Sequence, residues 1–184
     1  MSYPRLWLAV AAIAAAGAAT SDYLSAKHKI EQIESDRLRA GTRLDLNQPE
    51  LNAWVQQEAP PGVRNPRLQV LGPGLVTGSA LIDFNKLRRA QGHEPGWFSS
   101  HLLQGEHPVT VTARIESSNG HAKVDVQKVE IATITMDHRM VEFLIQNFLL
   151  PMYPDAVVGQ YFEMGHRIDR LDVQPAAVGV LIGK

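Results

Sequence analysis

Cysteine is missing from all 184 residues of the chain. Its absence excludes a disulfide, a thiolate metal ligand, a cysteine nucleophile and a lipidated N-terminal cysteine. The chain also lacks an excess of charge, because 18 Lys and Arg face 19 Asp and Glu, for a formal net charge of -1. Without a broad basic field, we expect no nucleic-acid partner. The composition, 45% hydrophobic and 20% charged, is typical of one globular domain.

Enzyme signatures are missing as well. The glycine-rich segment at residues 72–78 leads into a strand pattern and not a helix, so it fits neither a dinucleotide fingerprint nor a P-loop. The sequence contains no G-x-S-x-G elbow. Candidate metal ligands are concentrated at His93, Glu94, His101, Glu106 and His107, but their spacing matches neither H-E-x-x-H nor a structural zinc pattern. We therefore predict no enzyme activity, no cofactor and no metal site.

The N-terminus has the layout of a secretory signal peptide. Arg5 supplies a positive charge, an apolar run of fourteen residues follows, and Ala16 to Ala18 are small residues of the kind that signal peptidase reads. An uncleaved anchor is the alternative, although a membrane span needs about 20 apolar residues. We interpret residues 1–20 as a leader or anchor. The remainder is then exported to the periplasm, either free or tethered to the inner membrane.

A helical connector is predicted between the leader and the domain. It begins at a Ser21-Asp22 cap, has a thin apolar stripe of Tyr23, Ile30 and Ile33, and ends before Gly41. So narrow a stripe favours a mostly solvated helix over residues 21–41. A single domain would then occupy residues 42–184.

Strand and turn patterns dominate the rest of the chain. Asn119-Gly120 is the preferred pair for a two-residue hairpin, and the alternating pattern slips by one residue at Gln127-Lys128, which predicts a bulge and a bend. Hairpin connections predict a mainly antiparallel sheet and an α+β fold. The predicted elements are a strand in residues 42–48, a helix in 49–59, two strands around 72–74, a short helix from Pro95, the hairpin around 119–120 and two strands at 168–173 and 178–182.

The segment Met140–Leu150 predicts a helix that is apolar almost all round, with Asp137 as its N-cap. Such a helix is buried or in a membrane, and this one is too short to span a bilayer. One face would meet a sheet. Two interpretations remain for the other face of the helix. It packs into an ordinary filled core, or it lines a pocket for an apolar ligand.

Several stretches together resemble exported bacterial proteins of the tubular lipid-binding (TULIP) superfamily, including the mycobacterial phospholipid-binding type. The resemblance covers about residues 42–184 and rests on LNQPELNAWVQ, PGVRNPRLQVLGPGLVTGSALIDFNKL, LLQGEHPVTVTARIESSNGHAKVDVQKVEI, MVEFLIQNFL and the closing strand pair. It implies a long curved sheet wrapped around the apolar helix, with an elongated apolar cavity for lipid tails. One lobe would be present, so a second copy or an envelope protein could complete a conduit.

Candidate ligand-binding residues follow from this resemblance and from the apolar faces. For the cavity they are Met136, Met140, Phe143, Leu144, Phe148, Val109, Val111, Val124, Val126 and Ile82. Basic residues form either a solvated face or a rim for an anionic headgroup, and these are Arg64, Arg67, Lys86, Arg88 and Arg89. Trp97 and Phe98 either pack in the core or contact a membrane surface.

The function predicted from these features is binding or transfer of a phospholipid, fatty acid or polycyclic lipid in the cell envelope. The alternative is an envelope scaffold or interaction protein with a filled core and no ligand cavity. For a small hydrolase, the sequence supplies no set of catalytic residues.

Overall fold

A computed structural model describes residues 6–90, 92, 104–151 and 157–184, with side chains described from residue 20 onward. The fold is α+β, as predicted, and its strands form two antiparallel sheets. The helices are α1 (Leu6–Glu34), α2 (Gln48–Gln57), α3 (Phe84–Ala90), α4 (His138–Leu144) and a π-helix (Ile145–Leu149). The strands are β1 (Arg43–Asn47), β2 (Val63–Gly72), β3 (Leu75–Asp83), β4 (Glu106–Ser118), β5 (His121–Ile131), β6 (Ile134–Thr135), β7 (Tyr161–Glu163), β8 (Ile168–Gln174) and β9 (Ala177–Ile182).

The larger sheet is built from the two predicted hairpins. Its strand order is β2-β3-β4-β5-β6, and β7 also pairs with β5. Asn119 and Gly120 have φ values of 50° and 77° between β4 and β5, the positive pair that a type I′ turn requires. Both hairpins are therefore confirmed. The short strands β6 and β7 were not predicted, because two or three residues are too few to show alternation.

The predicted bulge is confirmed on β5. Thr112 of β4 pairs with Lys128, whereas the next residue, Ala113, pairs with Val126, so Gln127 has no partner across the ladder. The extra residue keeps Val124 and Val126 on the same face as Val129 and Ile131, because successive side chains on a strand alternate between faces. One face of the sheet is thus apolar on both sides of the bulge.

The smaller sheet corrects the expectation of one long sheet. The C-terminal pair β8 and β9 forms as predicted, but β9 also pairs with β1, which gives the order β1-β9-β8. The two sheets are joined by backbone hydrogen bonds at the hairpin turns. The Gly74 amide donates to the Val173 carbonyl at 3.0 Å, and the Gly120 amide donates to the Asp169 carbonyl at 2.8 Å. Both turns thereby attach the larger sheet to β8.

The prediction of a solvated connector that begins at Ser21 is wrong. One helix runs without a break from Leu6 to Glu34. Ala26 and Ile33 are buried in it, and the Tyr23 ring stacks on Trp54 of α2 with centroids 5.9 Å apart. The thin apolar stripe is covered by the domain because α2 and the smaller sheet lie against it. In the part of the chain that the structure describes, no helix is long and apolar enough to cross a membrane.

Among the residues that the structure describes, the buried apolar side chains form two separate clusters. One lies between α1, α2 and the smaller sheet and contains Ala26, Ile33, Leu46, Val180 and Ile182. The other lies between the larger sheet, α3 and the π-helix and contains Phe84, Leu87, Val109, Ile131 and Phe148. The second cluster positions the candidate site.

Candidate functional site

The predicted apolar helix begins at the predicted cap. The Asp137 carboxylate accepts a hydrogen bond from the Met140 amide at 2.9 Å, which satisfies one free N–H of the first turn. The predicted helix is α-helical as far as Leu144 and then changes type, because Ile145–Leu149 is π-helical and the Leu150 amide donates to the Ile145 carbonyl at 2.9 Å. Such short π segments are rare in proteins. Those that do occur are frequently found at functional sites.

An apolar pocket of about 250 Å³ lies between this helical segment and the larger sheet. We call it the apolar pocket. Its twelve described lining residues are all apolar: Ile82, Phe84, Leu87, Val109, Val111, Val126, Val129, Val141, Leu144, Ile145, Phe148 and Leu149. None of these described lining residues has a group that could act as an acid, base, nucleophile or metal ligand. The described lining therefore offers shape and apolar contact.

Aromatic contacts hold one wall of the apolar pocket in place. Phe148 is buried, and its ring meets the Phe84 ring edge to face with centroids 4.9 Å apart. Phe143 makes a second edge contact with Phe148 at 6.4 Å. On the α3 side, the Arg88 guanidinium lies 5.9 Å from the Phe148 ring centroid, within the range of a cation–π contact. The wall is therefore a connected set of rings that joins α3 to the π-helix.

The structure brings together six of the ten predicted cavity residues. Those on the pocket lining are Ile82, Val109, Val111, Val126, Leu144 and Phe148. Met136 and Phe143 pack beside it against the buried cluster. Met140 and Val124 are half-buried and do not line the pocket, whose helical side begins at Val141.

Sequence reasoning missed other lining residues, most clearly Phe84 and Leu87 of α3. Phe84 looked like the last apolar residue of the alternating β3 pattern, and Leu87 was hidden within the basic run NKLRR. Their spacing of three residues was the available signal, since it places both on one face of a short helix.

The predicted basic rim is not assembled around the pocket. Arg64 forms an ion pair with Glu106 at 3.1 Å. Arg67, on the same strand, lines a polar hollow beside Gln48 and Asn52 of α2. The remaining three basic residues lie on α3, where Lys86 and Arg89 are exposed and Arg88 contacts Phe148. These five side chains therefore occupy different environments and do not form one headgroup site.

A second, more polar space adjoins the apolar pocket. This polar cleft, of about 500 Å³, shares Val126, Val141 and Ile145 with the pocket. Its other described lining residues include Asp125, His138, Glu142, Gln146 and Gln160. Asp125 pairs with Lys123 at 2.9 Å, and that hydrogen bond raises the pKa of Lys123 although burial opposes it. The apolar pocket thus has a polar neighbour on the side of α4.

Most of the metal candidate lies outside the described residues, as do the predicted helix from Pro95 and the aromatic pair Trp97 and Phe98. Glu106 is engaged by Arg64, and the His107 ring lies 3.0 Å from the Gln104 carbonyl. Within residues 6–90, 92, 104–151 and 157–184, no three His, Asp or Glu side chains are placed to hold a metal ion.

No protein-family model, curated protein or solved structure matches the chain.

Proposed function

We propose that the protein binds an apolar ligand, such as the acyl chain of a phospholipid or fatty acid or a polycyclic lipid, in the apolar pocket. The supporting observation is a space of about 250 Å³ lined by twelve apolar side chains, with no described polar side chain on its lining. An apolar space of about 150 Å³ is large enough to bind benzene, so this one can admit a larger apolar group. Because pockets for whole drug-sized molecules run from about 300 Å³ upward, we expect one segment of a lipid to enter.

Burial alone supplies the affinity in this proposal. Each CH₂ group moved out of water contributes about 0.8 kcal/mol, so about six buried groups would contribute about 5 kcal/mol before the cost of association. The polar cleft beside Val126, Val141 and Ile145 would receive the polar end of such a ligand. We propose no chemical reaction.

The TULIP-like arrangement belongs to this proposal. The bulge at Gln127 bends β5, and the apolar face of the larger sheet lies towards α3 and the π-helix. In a TULIP-like protein, such a sheet would curl around the helix and enclose the ligand. A second copy or an envelope protein would extend the enclosure.

Export is the second part of the proposal and rests on residues 1–20. The positive charge at Arg5, the alanine-rich run and the small residues at Ala16 to Ala18 support secretion to the periplasm or cell envelope. Cell fractionation with N-terminal sequencing tests this, and we expect a mature protein that starts near Ala19 or a full-length protein held at the inner membrane. Full-length protein in the cytosol would contradict export.

Ligand binding is tested with the full chain purified without added lipid. We expect lipid to remain bound in native mass spectrometry, and a fluorescent fatty acid to bind saturably after delipidation. Leu144→Trp should abolish the binding, because the larger ring fills the pocket. The matched control is Arg139→Trp, which places the same ring on an exposed position of α4 and should leave binding unchanged.

Stability separates a ligand pocket from a filled core. In a filled core, Leu144→Trp would overpack its neighbours and cost about 1–3 kcal/mol. In a pocket the loss should be smaller, and Val126→Phe, at the wall shared with the polar cleft, should likewise weaken binding at little cost. The absence of saturable binding in the unmutated protein, with a large destabilisation by Leu144→Trp, would reject the proposal and favour the scaffold alternative.

A further inference from the structure

A second apolar hollow adjoins the apolar pocket on the side away from the polar cleft. It also measures about 250 Å³, and it shares Ile82, Val109 and Val111 with the pocket. It extends across β3 towards Leu68 of β2 and Val55 of α2, and its described lining also includes Arg67 and Ser79. We call it the β3 groove. The three shared side chains make the two spaces neighbours on one sheet.

Strand register places the floor of both spaces on the same face. Leu68 pairs with Gly78, Gly78 pairs with Val111, and Val111 pairs with Val129. Directly paired residues on neighbouring strands point to the same side of a sheet. A row therefore runs from β5 to β2 along one face, and its three inter-strand steps of about 4.8 Å span about 14 Å.

Gly78 is the one residue of that row without a side chain, and the backbone conformation does not require a glycine there. Its φ is not positive, so other residues could adopt its conformation. A Cβ added at Gly78 would meet the Leu68 side chain at 3.5 Å, which is ordinary van der Waals contact. Glycine in a strand interior weakens the strand, and it often marks a position that a ligand approaches closely. Ala80, two residues further along β3 and on the same face, is a second small residue of the groove.

We propose that Gly78 and Ala80 determine the length of the aliphatic chain that the protein accepts. The occupant of the β3 groove is the distal part of the same unbranched chain whose first part lies in the apolar pocket. This inference depends on the proposed function, and its argument is the continuity of the two spaces through Ile82, Val109 and Val111. A short chain uses the apolar pocket alone, whereas a long chain crosses β4 and β3 over Gly78.

Displacement of a fluorescent fatty acid by octanoate and by palmitate tests the inference. Gly78→Leu should keep the octanoate affinity within about twofold and weaken palmitate by about tenfold or more, because the groove is closed to the distal methylenes. Ala80→Leu should give the same pattern independently. The matched control is Thr110→Leu on β4, which pairs with Ser79 and so lies on the opposite face. It should change neither affinity.

The outcomes distinguish this inference from the function on which it rests. If both probes bind the unmutated protein and Gly78→Leu and Ala80→Leu leave palmitate unchanged, the groove is not used and the apolar pocket remains the whole site. Equal losses for octanoate and palmitate would also overturn a role in chain length. If neither fatty acid binds the unmutated protein, the proposed function fails and this inference fails with it. Thermal melting of each variant confirms that it is folded.

Discussion

Lys29 Nζ of α1 lies 2.6 Å from Glu50 Oε1 in the first turn of α2, and the Glu50 side chain is only 4% exposed. Lys29 also reaches the second carboxylate oxygen at 2.8 Å, and the Ser25 hydroxyl donates to the same carboxylate. The Glu50 carboxylate in turn accepts a hydrogen bond from the backbone N–H of Asn47 at 2.9 Å and completes a capping box. One buried carboxylate therefore attaches α1 to α2 and to the end of β1.

Loss of the cation should loosen this attachment. In Lys29→Met, Glu50 stays buried without its charged partner, and we expect the free energy of unfolding to fall by about 2 kcal/mol, since Lys29 is itself partly exposed. Chemical denaturation measures the change. The control is Lys27→Met on the same helix, whose partner Glu31 is 3.9 Å away and exposed, and it should cost less than about 0.5 kcal/mol. Equal effects would show that the ion pair does not hold the helices together.

The Glu50 carboxylate should make the stability of the protein depend on pH in the acidic range. Burial raises the pKa of Glu50, but hydrogen bonds from Lys29, Ser25 and the Asn47 amide together lower it below the ordinary value of 4.5. The stabilisation is therefore complete above pH 4.5 and is lost as the pH falls through the lower native pKa. The difference in unfolding free energy between the unmutated protein and Glu50→Gln should shrink over that interval. If this free-energy difference stayed constant as the pH was lowered until the protein unfolds, the lowered pKa of Glu50 would be contradicted.

Two glycines of the β2–β3 hairpin should respond differently to alanine. Gly74 has φ +68°, and an added Cβ would lie 2.8 Å from the Ile115 carbonyl oxygen. Gly72 has no positive φ and nothing within 4 Å. We expect Gly74→Ala to cost about 2 kcal/mol or more and Gly72→Ala to be neutral or to stabilise by less than about 1 kcal/mol. Thermal melting of the two variants side by side measures this, and similar midpoints would disprove the assigned turn.

Phe148 should be the most sensitive residue of the apolar pocket. Phe148→Ala removes a buried ring that contacts Phe84 and Phe143, so we expect a loss of about 3–5 kcal/mol in unfolding free energy. Ile134→Ala is the comparison, because Ile134 is 65% exposed on β6 and its truncation should change stability by less than about 0.5 kcal/mol. A loss below about 1 kcal/mol for Phe148→Ala would mean that the ring contributes little to the wall.

The sequence predicted the elements that depend on local pattern. Asn119-Gly120 specified its turn by backbone preference, Asp137 specified a helix start, and the phase slip located the bulge at Gln127. In each case a few neighbouring residues contain the physical cause. The six predicted residues that lie on the pocket lining were chosen in the same way, from alternation on strands and from the apolar helix.

What the sequence could not predict depends on contacts between distant segments. The connector helix looked solvated because its stripe is thin, yet Trp54 and the smaller sheet cover Tyr23 and Ile33. The pairing of β1 with β9 has no signal in either strand. Met140 was placed on the pocket by ideal helix phase, whereas packing against the sheet sets the inward stripe one residue later, at Val141. Tertiary contact decides these features, and propensity does not.

The pairing of β1 with β9 has a consequence for the order of folding. The β2–β3 and β4–β5 hairpins join neighbours in the chain and can close early, but Arg43 pairs with Leu181 from the far end of the domain. During vectorial synthesis, α1, α2 and β1 would therefore wait for β9 before Ala26 and Leu46 could be covered. We expect a late, slow closing step in refolding, during which apolar surface on the N-terminal segment is open to aggregation or to a chaperone.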